Sequence, residues 1–479
     1  MKKKFGHKIL IIGYGSVSQC TLPILFDKLD ISPKSVTLID FADKTQDLKQ
    51  YTDQGLNFVQ AKITSETLDQ LLSKYIDHGG LVIDLAWNIG AIDILTWCHN
   101  HNVLYVNTSV EEWDPYAARS TYDKSLYARQ MEMKSLSKGW ESAVSAVVDH
   151  GANPGLISHF TKQGLIDIAQ KLIVDKKASG ADEDEIKQYI KDRNFAKLGQ
   201  KLGVKTIHVS ERDTQITNRP KEVNEFVGTW SIEGLREEGT APSEMGWGTH
   251  EKKLPAYSVI PDKGPKNQIF LNQMGMNTWV RSWIPNQEIV GMVIRHGEAF
   301  GISDRMTVWD GEKAVYRPTV HYAYMPCHET LSSLHELRGL NYELPVKQRI
   351  MSDEITSGAD ILGALLMGHA YNSWWTGSDL SIEEARRVTP GQNATTLQVA
   401  VGVMAAVLWM LDNPKKGLNL PDDLPHDFVL DFAKPFLGNF ISTPSDWTPL
   451  RNRKVYFKDN PASVADPDPW QFQNFVFLP

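Results

Sequence analysis

Apolar and polar positions alternate between two rhythms over the first 150 residues. Short apolar runs at 8–12 (KILII), 35–40 (SVTLID), 81–87 (LVIDLAW) and 103–109 (VLYVNTS) have the length of buried strands. Between them Leu68, Leu71, Leu72 and Tyr75 recur at helical spacing, and residues 91–100 continue that rhythm. Further strands are expected at 58–63 and 143–148, and a long helix at 118–138. Strands alternating with helices predict a parallel, doubly wound sheet of Rossmann type over residues 1–150, with right-handed crossovers.

The pattern changes after residue 151. Residues 156–200 read as helical. Residues 205–324 read as strands broken by Gly and Pro, which predicts a second α/β domain with a mixed sheet over 151–390. Helices are expected again near 330–340, 359–368 and 383–411. The apolar stretch within 391–415 is expected to pack back onto the first domain. Its core, 399–411, falls short of the ~20 residues of a membrane span. The apolar run at 9–12 is too short for a signal peptide. Residues 416–479 are rich in Pro, Asp and aromatics, and no regular structure is expected there.

The chain has 479 residues, with 50 Lys and Arg against 58 Asp and Glu, a net charge of −8. That balance argues against a nucleic-acid binder and suits a cationic ligand. Apolar residues at 42% and charged residues at 23% exclude wholesale disorder. Cys20, Cys98 and Cys327 stand far apart, so neither a thiol metal site nor a disulfide framework is expected, and a reducing cytosol fits.

The first apolar run leads into GYGSVS (13–18), a G-x-G-x-x-G pattern with Ser18 in the third place. Gly13 permits the tight turn, and Gly15 the approach of a pyrophosphate. Ser16 and Val17 then open a helix whose N-terminus favours phosphate. The second strand ends in Asp40, placed to bind ribose hydroxyls and to repel a 2′-phosphate, so NAD is favoured over NADP. Other strand ends contribute Trp87, Asn88, Thr108 and Asn153. Glu111 and Glu112 follow over the same crevice.

Acids also interrupt apolar rows. In 205–212, Ile207, Val209 and Glu211 share a strand face. In 290–298, read as a strand, Val290, Met292, Ile294, His296 and Glu298 share one. A carboxylate on a buried face needs either an internal ion pair, with Arg212 or Arg295 at hand, or a bound cation. Between these segments Phe226, Gly228 and Trp230 are expected on one strand face, with Glu237 and Glu238 close behind. Trp230 beside acids is either core or a cation–π site. Asp360 either caps a helix or faces the site.

The stretches GYGSVSQ, NTSVEEW, DHGANPG, HVSERDTQ, NEFVGTWSIEG, VIRHGEA and SGADILG together resemble the bacterial homospermidine synthases, within the saccharopine-dehydrogenase-like superfamily. They span residues 13–363. The resemblance implies a cytoplasmic homodimer that joins two putrescine molecules, or related diamines and polyamines, through bound NAD, with no metal, nucleic acid or membrane involved. It implies a second domain that serves dimerisation as well as substrate binding. It implies that Trp230 stabilises cationic intermediates and that Glu211 and Glu238 hold ammonium groups. Asp360 and Glu298 are then further acids, His296 a proton carrier, Asn153 a neighbour of nicotinamide and Glu111 an entrance residue. The register of Glu111/Glu112 and Glu237/Glu238 stays open. Two other readings compete. One is a reductase joining an amine to an amino-acid semialdehyde, which needs a cation for the substrate carboxylate (Arg236, Arg281 and Arg295 are candidates). The other is an NAD-binding sensor without chemistry.

Overall fold

The computed structural model describes residues 2–117, 119–454 and 465–477. Seven strands form an all-parallel sheet in the order Leu418–Asn419, Ala146–Val147, Leu104–Asn107, Leu81–Asp84, Ile9–Ile12, Val36–Asp40, Asn57–Gln60. Ile9 to Ile12 are all buried, as a strand covered on both faces requires. The strand order reverses beside Ile9–Ile12, which opens a crevice at the carboxyl ends.

The chain leaves this sheet after Val147 and returns to it late. The Ala394–Asp412 helix packs against Ser16–Lys28. Its 19 residues are long and apolar enough to cross a membrane, yet 83% of its most apolar stretch is buried inside the protein. Ala400, Val403 and Val407 share a core with Cys20 and Leu25. The Asn393 side chain accepts from Thr396 N at 2.9 Å and fixes the start of the helix.

The second unit is built on a mixed sheet of ten strands. At its centre Thr206–Asp213 pairs in parallel with Thr319–Met325 and antiparallel with Ala359–His369. The register sets Tyr324 and Leu362 on either side of Glu211, and Asp360 beside Asp213. Helices cover one face of this sheet, and residues 465–477 cover part of the other through Trp470, Phe472 and Phe475.

Several sequence expectations are corrected. Residues 359–368 are not a helix but part of the Ala359–His369 strand, where a Cβ on Gly363 would stand 2.4 Å from the Trp375 ring. An apolar run of that length fits either element, and pairing on both edges decides it. The 290–298 strand stops at Met292. His296 caps the Gly297–Arg305 helix, and Glu298 lies in its first turn. Trp230 falls just beyond the strand Glu225–Gly228. The helix expected at 118–138 is shorter, Leu126–Leu136, because Ser125 caps Ala128 N and Glu244 accepts from Leu126 N at 2.6 Å; Ala118 lies outside the described residues. The 383–411 region holds two helices, Ile382–Val388 and Ala394–Asp412. Residues 416–479 carry regular structure after all. They supply the Leu418–Asn419 strand, the His426–Ala433 helix and the Asn439–Ser445 edge strand of the mixed sheet. Residues 455–464 and 478–479 lie outside the described residues.

Candidate active site

One cleft of about 910 Å³ runs from the Gly-rich loop to the mixed sheet. At its first end Gly13 has φ +86, and a Cβ there would stand 3.0 Å from Leu85 O. Gly15 caps the Ser16–Lys28 helix, and nothing lies within 4 Å of where its Cβ would be. That space adjoins amides that no side chain caps, the setting a pyrophosphate needs. Ser18 is buried below the loop, and its hydroxyl donates to Gly13 O at 2.5 Å. The residue that departs from the glycine pattern therefore closes the turn with its side chain.

Asp40 ends its strand on the cleft wall and accepts from Tyr14 N at 2.7 Å and Ala42 N at 2.8 Å. The two amides fix the carboxylate at the lip of the loop, where an adenosine ribose would lie. Phe41 and Trp87 form an edge-to-face pair there, 6.1 Å between centroids, and both stay exposed. Ser16, Val17, Asn88 and Thr108 line the same half. These residues fit a dinucleotide.

At the far end the mixed sheet delivers its acids. Glu211 is buried, and its Oε2 accepts from Asn153 Nδ2 at 2.7 Å and from the Tyr322 hydroxyl. The Asn153 amide also donates to the Tyr322 oxygen. Burial raises the Glu211 carboxyl to about 7, against the opposing pull of those two donors. Asp360 lies behind the cleft beside Glu211 and accepts from the Thr395 hydroxyl at 2.5 Å. Burial, with Glu211 and Asp213 nearby, holds it well above the usual carboxylate range. Arg212 does not pair with Glu211; its guanidinium donates to Pro326 O at 2.6 Å.

His296 connects this centre to the other acids. Its Nε2 is 3.3 Å from Glu238 and its Nδ1 3.3 Å from Glu298. Burial alone would lower its pKa, but the two carboxylates outweigh that and push it up to about 10. Glu238 is itself raised by burial, in part offset by His296. Glu298 is buried beneath His296 and does not reach the cleft. Strand alternation is not what brings His296 and Glu298 together; a helix N-terminus does.

The adjacent pairs separate cleanly. Glu238 lines the cleft, whereas Glu237 is ion-paired to Arg129 at 3.0 Å and to Arg295. Glu111 lines the cleft and accepts from Ser109 Oγ at 2.8 Å, whereas Glu112 pairs with Arg119 and Arg129. Trp230 lines the cleft and donates from Nε1 to the Tyr324 hydroxyl at 3.1 Å. Tyr324 stacks on Tyr322 at 5.3 Å, and His296 meets the Tyr322 ring at 4.3 Å.

Sequence reasoning passed over Tyr322, Tyr324 and Glu233. The tyrosines had a signal: in HYAYM (321–325) they alternate on one strand face, the face that carries Glu211 in the neighbouring strand. Glu233 lies in the NEFVGTWSIEG stretch but no local pattern singles it out, since its place on the cleft depends on how the Ile232–Thr240 helix docks.

The fold and the cleft define a class, the two-domain enzymes of the saccharopine dehydrogenase type. The family model described as the saccharopine dehydrogenase NADP binding domain matches residues 9–148, and that of the saccharopine dehydrogenase C-terminal domain matches 151–443. Within that class the chain is 36% identical to a homospermidine synthase of Mesorhizobium japonicum over 477 residues, 98% of this chain and 96% of that one. It is 37% identical to a homospermidine synthase of Blastochloris viridis over 478 residues, 98% and 97% of the two chains. A crystal structure of the homospermidine synthase from Legionella pneumophila in complex with NAD superposes with a TM-score of 0.88 at 35% identity, covering 100% of this chain and 99% of that one. The chain belongs to the homospermidine synthase family.

Proposed function

We propose that this chain catalyses the NAD-dependent transfer of an aminobutyl group from one putrescine to a second, forming homospermidine and releasing ammonia. The observation that carries this reading is one cleft joining a dinucleotide loop to Glu211, Glu238, His296 and Trp230. NAD held by the loop from Gly13 to Ser18 and by Asp40 would supply a hydride acceptor for the amine-bearing carbon and a hydride donor for the later imine, so that no net redox change would result.

The chain's own residues supply binding and proton handling. Putrescine enters as a dication, and Glu211, Glu238 and Glu111 are the carboxyls that meet its ammonium groups. The reacting amine must lose a proton before hydride can leave its carbon. Glu211, raised to about 7, is poised to take it at neutral pH. His296, at about 10, stays an imidazolium and supplies the proton that departing ammonia requires. The second amine adds to the imine carbon and opens the C=N bond to a geminal diamine; His296 gives a proton to the first nitrogen, whose C–N bond breaks to release ammonia, and takes back the proton that the second nitrogen sheds. Trp230 offers a π face to the cationic imine at that stage.

The semialdehyde-reductase reading lacks a partner for its carboxylate. Arg236 donates to Tyr342 O and Glu343, Arg281 pairs with Glu288, and Arg295 with Glu237. Among the described lining residues the lysines are Lys44 and Lys62, both at the dinucleotide end. A cytosolic setting is part of the reading, supported by three buried unpaired thiols. A homodimer is part of it too, supported by the family resemblance.

Purified protein incubated with putrescine and NAD tests the proposal, with products read by mass spectrometry and NADH by absorbance. Homospermidine and ammonia without accumulating NADH are expected. Stoichiometric NADH would mark an ordinary amine dehydrogenase. No turnover would leave the reductase or the sensor.

A further inference from the structure

We infer that Tyr322 is a further catalytic residue, whose hydroxyl takes the proton from the reacting ammonium while passing its own to Glu211. The inference rests on the aminobutyl-transfer reading and names the route by which its first proton moves.

The hydrogen-bond count around the phenol leads there. A tyrosine oxygen donates once and accepts twice. The Tyr322 hydroxyl donates to Glu211 Oε2, and it accepts from Asn153 Nδ2. One lone pair remains, and Tyr322 lines the cleft. Asn153 completes a triangle, because the same amide nitrogen also donates to that Glu211 oxygen, at 2.7 Å. Both donors therefore converge on Glu211 Oε2, and an incoming ammonium finds the Tyr322 oxygen as an open acceptor beside it.

Packing holds this oxygen in place. The ring lies between Tyr324, stacked at 5.3 Å and 18°, and His296, edge-on at 4.3 Å. Tyr322 sits on a central strand, paired through Val209 to the strand that carries Glu211. The relative placement of phenol and carboxylate is thus set by sheet register rather than by a loop.

The step balances. The substrate N–H bond breaks as a new O–H bond forms on Tyr322, and the original Tyr322 O–H bond breaks as one forms on Glu211. Charge moves from ammonium to carboxylate, and the phenol ends neutral. After ammonia is displaced, the same relay run in reverse protonates the product amine.

The test is Tyr322→Phe in the full-length, NAD-loaded enzyme. The substitution keeps the ring between Tyr324 and His296 and removes the oxygen. A kcat loss of about 10²-fold or more is expected, with NAD affinity retained and the putrescine KM changed only a few-fold. The solvent deuterium isotope effect on kcat should change with it. A kcat within three-fold of the parent across the pH range would overturn the inference. If the phenylalanine variant folds poorly, 3-fluorotyrosine at position 322 keeps the volume and alters only the acidity of the hydroxyl. A shifted pH–rate profile then supports the relay, and an unmoved profile with unmoved kcat refutes it. A parent enzyme that makes no homospermidine would instead be a failure of the proposed function.

Discussion

Glu237 and Glu238 are neighbours on one helix and answer to different partners: Glu237 to the buried guanidinium groups of Arg129 and Arg295, Glu238 to His296 across the cleft. One residue anchors the helix and the next serves the site. Glu237→Gln should cost on the order of 3 kcal/mol of stability, because it leaves two buried guanidinium groups undercompensated. Glu238→Gln should cost less stability than Glu237→Gln, since Glu298 still faces the imidazolium, and should lower kcat/KM for putrescine by at least tenfold. Thermal melts alongside steady-state kinetics on the two variants separate the roles. Equal effects of both substitutions on stability would contradict the assignment.

How far the site was legible follows from where each residue sits. Gly13, Gly15 and Asp40 act through local turn and strand geometry, so their spacing alone announced them. Glu211 stood out because strand alternation put a carboxylate in an apolar row, and the strand exists as read. His296 and Glu298 also stood out, but for a reason the structure replaces, a helix cap in place of a strand face. The choice between Glu237 and Glu238 depends on Arg129, more than a hundred positions away, and no local pattern carries that. The late strands and helices of 416–445 were missed for a similar reason. Their stability comes from docking on the two sheets rather than from a periodic apolar face of their own.

Trp230 presents its ring to the cleft while its N–H is held by the Tyr324 hydroxyl. A desolvated cation–π contact contributes about 2 kcal/mol, or roughly 30-fold in rate if it acts mainly on the cationic transition state. Trp230→Leu should therefore lower kcat by about that factor with a smaller change in KM. Trp230→Phe, which keeps a ring but loses the indole N–H, should fall between the two. Steady-state kinetics with putrescine check the order, and a leucine variant as fast as the phenylalanine variant would remove the π contribution.

The dinucleotide end can be tested without turnover. A Cβ on Gly15 meets nothing in the protein, so Gly15→Val should fold normally. It should abolish NAD binding, because the added methyl groups occupy the space a pyrophosphate needs. Asp40→Ala should weaken NAD by about tenfold and narrow the preference over NADP, since the carboxylate that repels a 2′-phosphate is gone. Calorimetric titration with both dinucleotides measures each effect. Equal NAD affinity in parent and Gly15→Val would place the cofactor elsewhere.

Stability should fall as pH rises above about 6.5 in the enzyme without ligands. Burial raises Asp84, Asp149, Glu211 and Glu244 to about 7 each. A carboxyl that titrates higher in the folded than in the unfolded chain binds more protons when folded between the two values. Its stabilising contribution is complete below about 4 and is lost as pH climbs to about 7. His296 acts in the same sense over a later window. Its contribution is whole below about 6.5 and disappears as pH passes about 10. Burial lowers His150, His321, His369 and His426 to about 4, and these act in the opposite sense between about 4 and 6.5. The net decline is therefore expected between about pH 6.5 and pH 8, where stability should fall by about 1.4 kcal/mol per pH unit for each full proton involved. Glu211→Gln should flatten part of that decline. Putrescine should offset it most at pH 8, because the ammonium groups stabilise the ionised form of Glu211. Melts at stepped pH, with and without putrescine, carry the test. A Glu211→Gln variant whose melting temperature declines as steeply as the parent's between pH 6.5 and pH 8 would mean that Glu211 is already ionised without substrate.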